Sequence, residues 1–135
     1  MGRTDDVINV SGHRLSTGAM EQVLAAHPAV AEAAVIGVAD ELKGQRPSVY
    51  VVLRRGARIG EQRLGEELVA MMRQRIGAVA DFKHVRVVSA LPKTRSGKIL
   101  RKTMRQIADG EDCRVPSTIE DPEVLEALVP VLRGA

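Results

Sequence analysis

The eleven residues from Pro92 to Lys102, PKTRSGKILRK, hold five cations (Lys93, Arg95, Lys98, Arg101 and Lys102) and no acid. An ammonium carried on such a stretch can reach a phosphate or a carboxylate that this chain need not itself bind. Gly97 frees the backbone to turn, Ser96 offers a helix cap, and Ile99, Leu100, Met104 and Ile107 follow with helical spacing. The stretch therefore predicts a mobile loop ending on a helix, with Lys98 at the junction. The Gly-Lys pair is not a nucleotide cradle. A phosphate loop of the Walker type needs glycine five residues before its Gly-Lys and Ser or Thr after it; those positions hold Pro92 and Ile99. Chemistry leaves a solvated basic loop as an equal alternative.

Other reactive residue types are sparse. Cys113 is the single cysteine, so no disulfide forms within the chain, which suits a reducing cytosol. Nothing near it in sequence activates the thiol. His13, His27 and His84 lack metal-ligand spacing. No apolar run has transmembrane length and no signal-peptide pattern is present; the expectation is a cytoplasmic protein without membrane or metal. Tyr50 and Phe82 are the only aromatic residues, too few for base stacking, which argues against a nucleic-acid binder. The net charge is +3, but every charge from Lys93 to Arg105 is positive, while Asp109 to Glu126 is acidic apart from Arg114. A local cationic patch suits a small anion or an acidic partner surface better than long duplex DNA.

The elements that must carry these residues follow from periodicity. One domain with a modest aliphatic core fits 135 residues that are 44% apolar. Val7, Ile8 and Val10, then Ser11-Gly12, then Leu15 predict a small hairpin with Gly12 at its tip and His13 and Arg14 beside it. Taken alone, this is a turn glycine with exposed polar neighbours. Thr17–His27 reads as a helix, with Met20, Val23 and Leu24 on one face, Ser16 or Thr17 as cap and Pro28 as terminator. Val30–Val38 and Pro47–Leu53 read as paired strands across a turn from Ala39 to Gln45. Glu61–Gly77 is the longest helix, with Leu64, Leu68, Met72 and Ile76 in a stripe and Arg73 and Arg75 off it. A strand over His84–Val88, a helix over Ile99–Ile107 and a last helix from Asp121-Pro122 through Leu132 complete the chain. The predicted fold is α+β: a small three-stranded sheet flanked by helices, with an N-terminal two-stranded hairpin. No large pocket is implied.

Three stretches in this order, DDVINVSGHR, MRQRIG and LPKTRSGKILR, together resemble the carboxy-terminal domain of acyl-CoA synthetases of the adenylate-forming superfamily. The similarity runs from about Arg3 to Ile107. The tail, VPSTIEDPEVLEAL, is similar to the short-chain branch, and GHRLSTGAMEQ, IGAVADFKHV and TIEDP lean toward its propionyl-CoA rather than its acetyl-CoA members. The resemblance implies one carboxy-terminal domain over 1–135, divided into a hinge at 1–6, a core at 7–108 and an extension with a helix at 109–135.

The same resemblance implies an acid–CoA ligase that forms an acyl-adenylate from ATP and a carboxylic acid, then passes the acyl group to coenzyme A. A large amino-terminal adenylation domain, absent from these residues, would hold ATP, most of the Mg2+ and the acid, so this domain alone is expected to be inactive. The small domain would alternate between two poses. Lys98 matches the adenylation lysine, Arg14 an arginine that contacts ATP phosphate, Gly12 the glycine lining the pantetheine tunnel, Arg73 an arginine at the 3′-phosphate of coenzyme A, and Asp5 the hinge. The family also implies acetylation of Lys98 by a protein lysine acetyltransferase and its reversal by a sirtuin-type deacylase, which would remove and restore the charge. A non-enzymatic module recognised only as such a substrate is the alternative reading.

Overall fold

The computed structural model describes residues 7–10, 12–42, 44–77, 82, 85–111 and 119–133. Asp5 with the expected hinge, Ser11, His84 and Cys113 lie outside them. The order is β1 (Val7–Val10), β2 (His13–Ser16), α1 (Thr17–Ala25), β3 (Val30–Asp40), β4 (Gly44–Leu53), α2 (Glu61–Arg75), β5 (Val85–Val87), α3 (Arg101–Ala108) and α4 (Pro122–Arg133).

The fold is α+β, with the expected sheet of three and the expected hairpin joined into one. β3 and β4 pair antiparallel, from Val30 opposite Leu53 to Asp40 opposite Gly44. β5 adds parallel to β4, with α2 as the crossover between them. The β1–β2 hairpin, paired from Val7–Ser16 to Val10–His13, is attached through Val10 opposite Gly44. Both long strands extend further into the turn than their apolar runs predict, because Asp40 Oδ1 accepts the Leu42 N–H (2.9 Å) and closes the reversal within a few residues.

Two cores follow from strand alternation. On one face Val35, Val49 and Val51 pack with Ile8, Val10 and the stripes of α1 and α2. On the other, Ala34, Ile36, Val38 and Tyr50 pack with Met104 and Ile107 of α3 and Leu125, Leu128 and Leu132 of α4. An irregularity between Val30 and Glu32 shifts the parity, so Val30 joins the first face with Ala33 and Val35. Burial on both faces explains why VAEAAVIGV reads as a nearly continuous apolar run. Leu64, Leu68 and Met72 are fully buried, each worth roughly 2 kcal/mol of transfer free energy.

Side chains finish what the backbone leaves open. Ser16 Oγ accepts the Ala19 N–H at the start of α1 (3.2 Å), as expected of a cap. β3 is an outer strand of the sheet, and carboxylates cover part of its edge: the Val35 N–H donates to Glu21 Oε2 and the Ala39 N–H to Asp109 Oδ1, each at 2.9 Å. His27 is buried and spoken for. Its Nδ1 accepts the Ala29 N–H (3.0 Å), which leaves Nε2 to donate to Glu67 Oε1 (2.8 Å) and tie the turn after α1 to α2. That hydrogen bond, with a second from Arg63, holds the Glu67 carboxyl below its usual range. Tyr50 is likewise internal. Burial pushes its phenol up, while Ser48 Oγ donates to its oxygen (3.0 Å).

Candidate functional site

The basic stretch is not a loose loop running into a helix. It closes on itself as a short clip. Lys93 bridges Ile99, the Leu100 N–H donates to the Pro92 carbonyl (3.0 Å), and the Thr94 N–H donates to the Lys98 carbonyl (2.8 Å). The Lys98 N–H returns to Thr94 Oγ1 (3.1 Å), and the Gly97 N–H donates to the Thr94 carbonyl (2.9 Å). Gly97 turns the chain at φ +93°, a conformation other residues adopt only under strain. Ser96 does not cap a helix, because its Oγ is engaged with Thr94 Oγ1 (2.9 Å). α3 starts later than predicted, at Arg101, with Leu100 at the cap position and no side-chain cap bond. The two residues between Lys98 and α3 are taken up by the bridge and by packing of Ile99 and Leu100 against the α3–α4 core.

The clip is fastened to the body on both stems. Lys93 Nζ pairs with Glu32 at the start of β3, and Arg101 pairs with Glu21 of α1. The Glu120 N–H donates to the Lys93 carbonyl (2.9 Å), which ties in the segment before α4. Lys98 has both backbone polar groups bonded inside the clip, yet its side chain is exposed and its ammonium has no partner among the described residues. The cation is thus displayed outward from a fixed base, as a group meant for a visiting anion would be.

Gly12 occupies the opposite end of the sheet. It is exposed at φ +83°, and a Cβ built there would meet nothing within 4 Å. Its hairpin attaches at Gly44, opposite Asp40, whereas the clip attaches at Glu32. Eight residue steps of strand put these attachments about 26 Å apart. Arg14 is exposed on β2 beside Gly12, opposite Asn9, and so belongs to the hairpin end rather than the lysine end. Arg73 is exposed in the last turn of α2, on the face of the sheet away from α3. Contrary to expectation, a large concavity is present there. An open groove of about 1120 Å³, lined by Glu61, Glu66, Val69, Ala70, Arg73 and Val85 among others, runs beside α2. Gly65 of α2 and Val85 of β5 both line it, a juxtaposition of distant segments that the helical stripe does not announce. The sites are therefore not one cluster: Gly12 and Arg14 share one end, Lys98 the other, and Arg73 a face.

No group of three or more His, Cys, Asp or Glu among the described residues could hold a metal ion, and no helix there is long and apolar enough to cross a membrane. Ion pairing elsewhere is structural, as where Arg105 meets Asp109 (3.5 Å) and Glu111 (3.0 Å).

Comparison with known proteins gives this geometry a context. The family model described as the AMP-binding enzyme C-terminal domain matches residues 19–98 and ends on Lys98. An uncharacterized protein of Pseudomonas aeruginosa is 62% identical over 133 residues, covering 98% of this chain and 21% of that one. The mitochondrial acyl-CoA synthetase short-chain family member B of Dictyostelium discoideum is 52% identical, covering 95% and 19%. The crystal structure of Brucella canis acyl-CoA synthetase superposes with a TM-score of 0.71 at 40% identity, over 78% of this chain and 19% of that chain. The chain thus spans about a fifth of the length of the curated relatives it matches. With the matched segment covering more than half of its residues, the chain belongs to the family of AMP-binding enzyme C-terminal domains.

Proposed function

We propose that this chain serves as the mobile carboxy-terminal catalytic domain of an ATP-dependent short-chain acyl-CoA synthetase. The observation that carries the reading is Lys98: an exposed ammonium without a partner among the described residues, on a closed clip in which its own N–H and carbonyl are both bonded. In adenylation, negative charge moves from the attacking carboxylate through the α-phosphate to the departing pyrophosphate. An ammonium about 4 Å from a unit charge gains roughly 4 kcal/mol at an effective dielectric near 20. A preoriented cation of this kind acts on the transition state more than on bound substrate.

The separation of sites supports two poses. Ends of the sheet about 26 Å apart cannot both line one reacting centre in a single docking. With the clip turned to the adenylation domain, Lys98 would reach the carboxylate and phosphate. With the hairpin turned inward, Gly12 would leave room for the pantetheine arm, and Arg73, beside its groove, would meet the 3′-phosphate of coenzyme A, for which a guanidinium is suited. Arg14 is assigned to an ATP phosphate. Its place beside Gly12 puts it at the hairpin end, so it does not meet the same phosphate as Lys98 in one docking, and the assignment rests on the resemblance alone. Asp5 is assigned to the hinge. ATP and coenzyme A are substrates, the partner is an amino-terminal adenylation domain, and the Mg2+ that accompanies ATP belongs to that domain. The short-chain assignment rests on the named Dictyostelium relative and on the tail residues; propionate is preferred over acetate on GHRLSTGAMEQ, IGAVADFKHV and TIEDP.

The test is Lys98→Ala in the full-length synthetase. Acid-dependent exchange of pyrophosphate into ATP should fall at least about 10²-fold, while thioester formation from supplied acyl-adenylate survives. Equal loss of both half-reactions would reject the role given to Lys98.

A second reading is supported by the same exposure. Lys93 is paired with Glu32 and Lys98 is not paired among the described residues, so Lys98 is the better acceptor for a protein lysine acetyltransferase, with a sirtuin-type deacylase restoring it. Incubation with such an enzyme and acetyl-CoA should place acetyl on Lys98 by mass spectrometry; acetyl on Lys93 or Lys102 instead would reject it.

A further inference from the structure

A lysine on a clip is only as well placed as the segment that returns from it, and here that segment runs into Arg101, the first residue of α3. Arg101 Nε donates to Glu21 Oε2 at 2.8 Å and its Nη2 donates to Glu21 Oε1, so the guanidinium fork grips the carboxylate at two points. Glu21 Oε2 also accepts the Val35 N–H at 2.9 Å. One carboxylate thereby joins α1, the outer edge of β3 and the first turn of α3. The two side chains keep only 20% and 12% of their exposure, so water screens the pair weakly. The other stem is held more loosely. Lys93 and Glu32 keep 26% and 38%, in the range where ion pairs contribute little.

We propose that Glu21 and Arg101 are positioning residues for Lys98, a role that rests on the reading of Lys98 as the adenylation lysine. The two-pronged pair sets the orientation of the first residue of α3, three positions after Lys98. Ile99 and Leu100, packed on the second core, carry that orientation back to the clip. A mostly buried ion pair adds little net stability over a well-packed apolar pair, but a planar fork fixes direction, which an apolar contact does not. Direction is what the lysine needs, since a displacement of about 1 Å at a reacting centre can cost on the order of 10²-fold in rate. Lys98 itself makes no ionic contact with its own domain among the described residues, so its aim depends on the base beneath it.

The test separates aim from stability in the full-length synthetase. Glu21→Gln and Arg101→Leu should each lower the kcat of pyrophosphate exchange about tenfold, with KM for ATP within about twofold. Thioester formation from supplied acyl-adenylate should be unchanged. Arg101→Lys, which keeps the charge and loses the fork, folds under milder strain and should sit only about threefold below the parent. In a Lys98→Ala background, Glu21→Gln should cost less than about a further twofold, because its effect passes through the missing lysine. Parental exchange in folded Glu21→Gln and Arg101→Leu overturns the proposal, as does parallel loss of both half-reactions or a full tenfold loss persisting without Lys98. If Lys98→Ala alone leaves exchange intact, the lysine reading fails and this one with it. If Lys98→Ala abolishes exchange while the pair variants remain fully active, only the positioning role fails.

Discussion

At the clip end of the sheet, backbone is tied down so that one side chain is released; at the hairpin end, the backbone itself is what is offered. Around Lys98 the hydrogen bonds of Pro92, Thr94 and Leu100 close the clip, and the ion pairs of Lys93 and Arg101 fasten its stems to the body. Around Gly12 there is open space and a positive φ, and no side chain to aim. A point charge must be oriented, because its interaction changes steeply with distance in a partly dry site. A passage for a slender arm needs only clearance. On the proposed function the two ends serve different physical tasks, and they should fail separately.

The widest split should come from pairing Lys98→Ala, expected to lower pyrophosphate exchange at least about 10²-fold, with Gly12→Leu. A branched side chain at φ +83° should cut thioester formation at least about tenfold while pyrophosphate exchange stays near the parental rate. Loss of both activities in Gly12→Leu would merge the two ends into one site. Gly97→Ala probes the clip more gently. At φ +93° the added Cβ meets no neighbour, so the cost is conformational strain, about 1–2 kcal/mol in chemical denaturation. Exchange should drop with it and thioester formation should not; an unchanged denaturation midpoint would show that the clip is not held in this turn.

The smallest effect lies at neither end. Hydrogen bonds from His27 and then Arg63 lower the folded pKa of Glu67, so the stability it contributes is present above its unfolded pKa of about 4.3 and is lost as pH falls through the lower folded value. Glu67→Gln should therefore have a lower melting temperature than the parent near neutrality. The gap should narrow below about pH 4, with both half-reactions intact. A gap that widens on acidification would reverse the sign assigned here.

Much of the fold is legible in residue types. The Leu64–Leu68–Met72 stripe, the alternation around Ser11-Gly12 and the Asp121-Pro122 start of α4 each act over a few residues, and local physics is enough to read them. The start of α3 is not legible. Ser96 has the right chemistry for a cap and spends it on Thr94, inside a clip closed by backbone bonds that Ser96 itself does not announce. The groove beside α2 is equally hidden, since it lies between α2 and Val85, segments far apart in the chain.

Residue order was sufficient for the α+β class, for Lys98 as the notable cation and for the likeness to one family, because those rest on short spacings and on motif chemistry. Folding was needed to show that the lysine stands on a closed clip rather than a loose loop, that this clip is fastened at the other end of β3 from the Gly12 hairpin, and that its base is gripped by Glu21, eighty positions from Arg101. Such facts depend on which distant groups become neighbours, and a contact at that separation leaves no periodic trace in the chain.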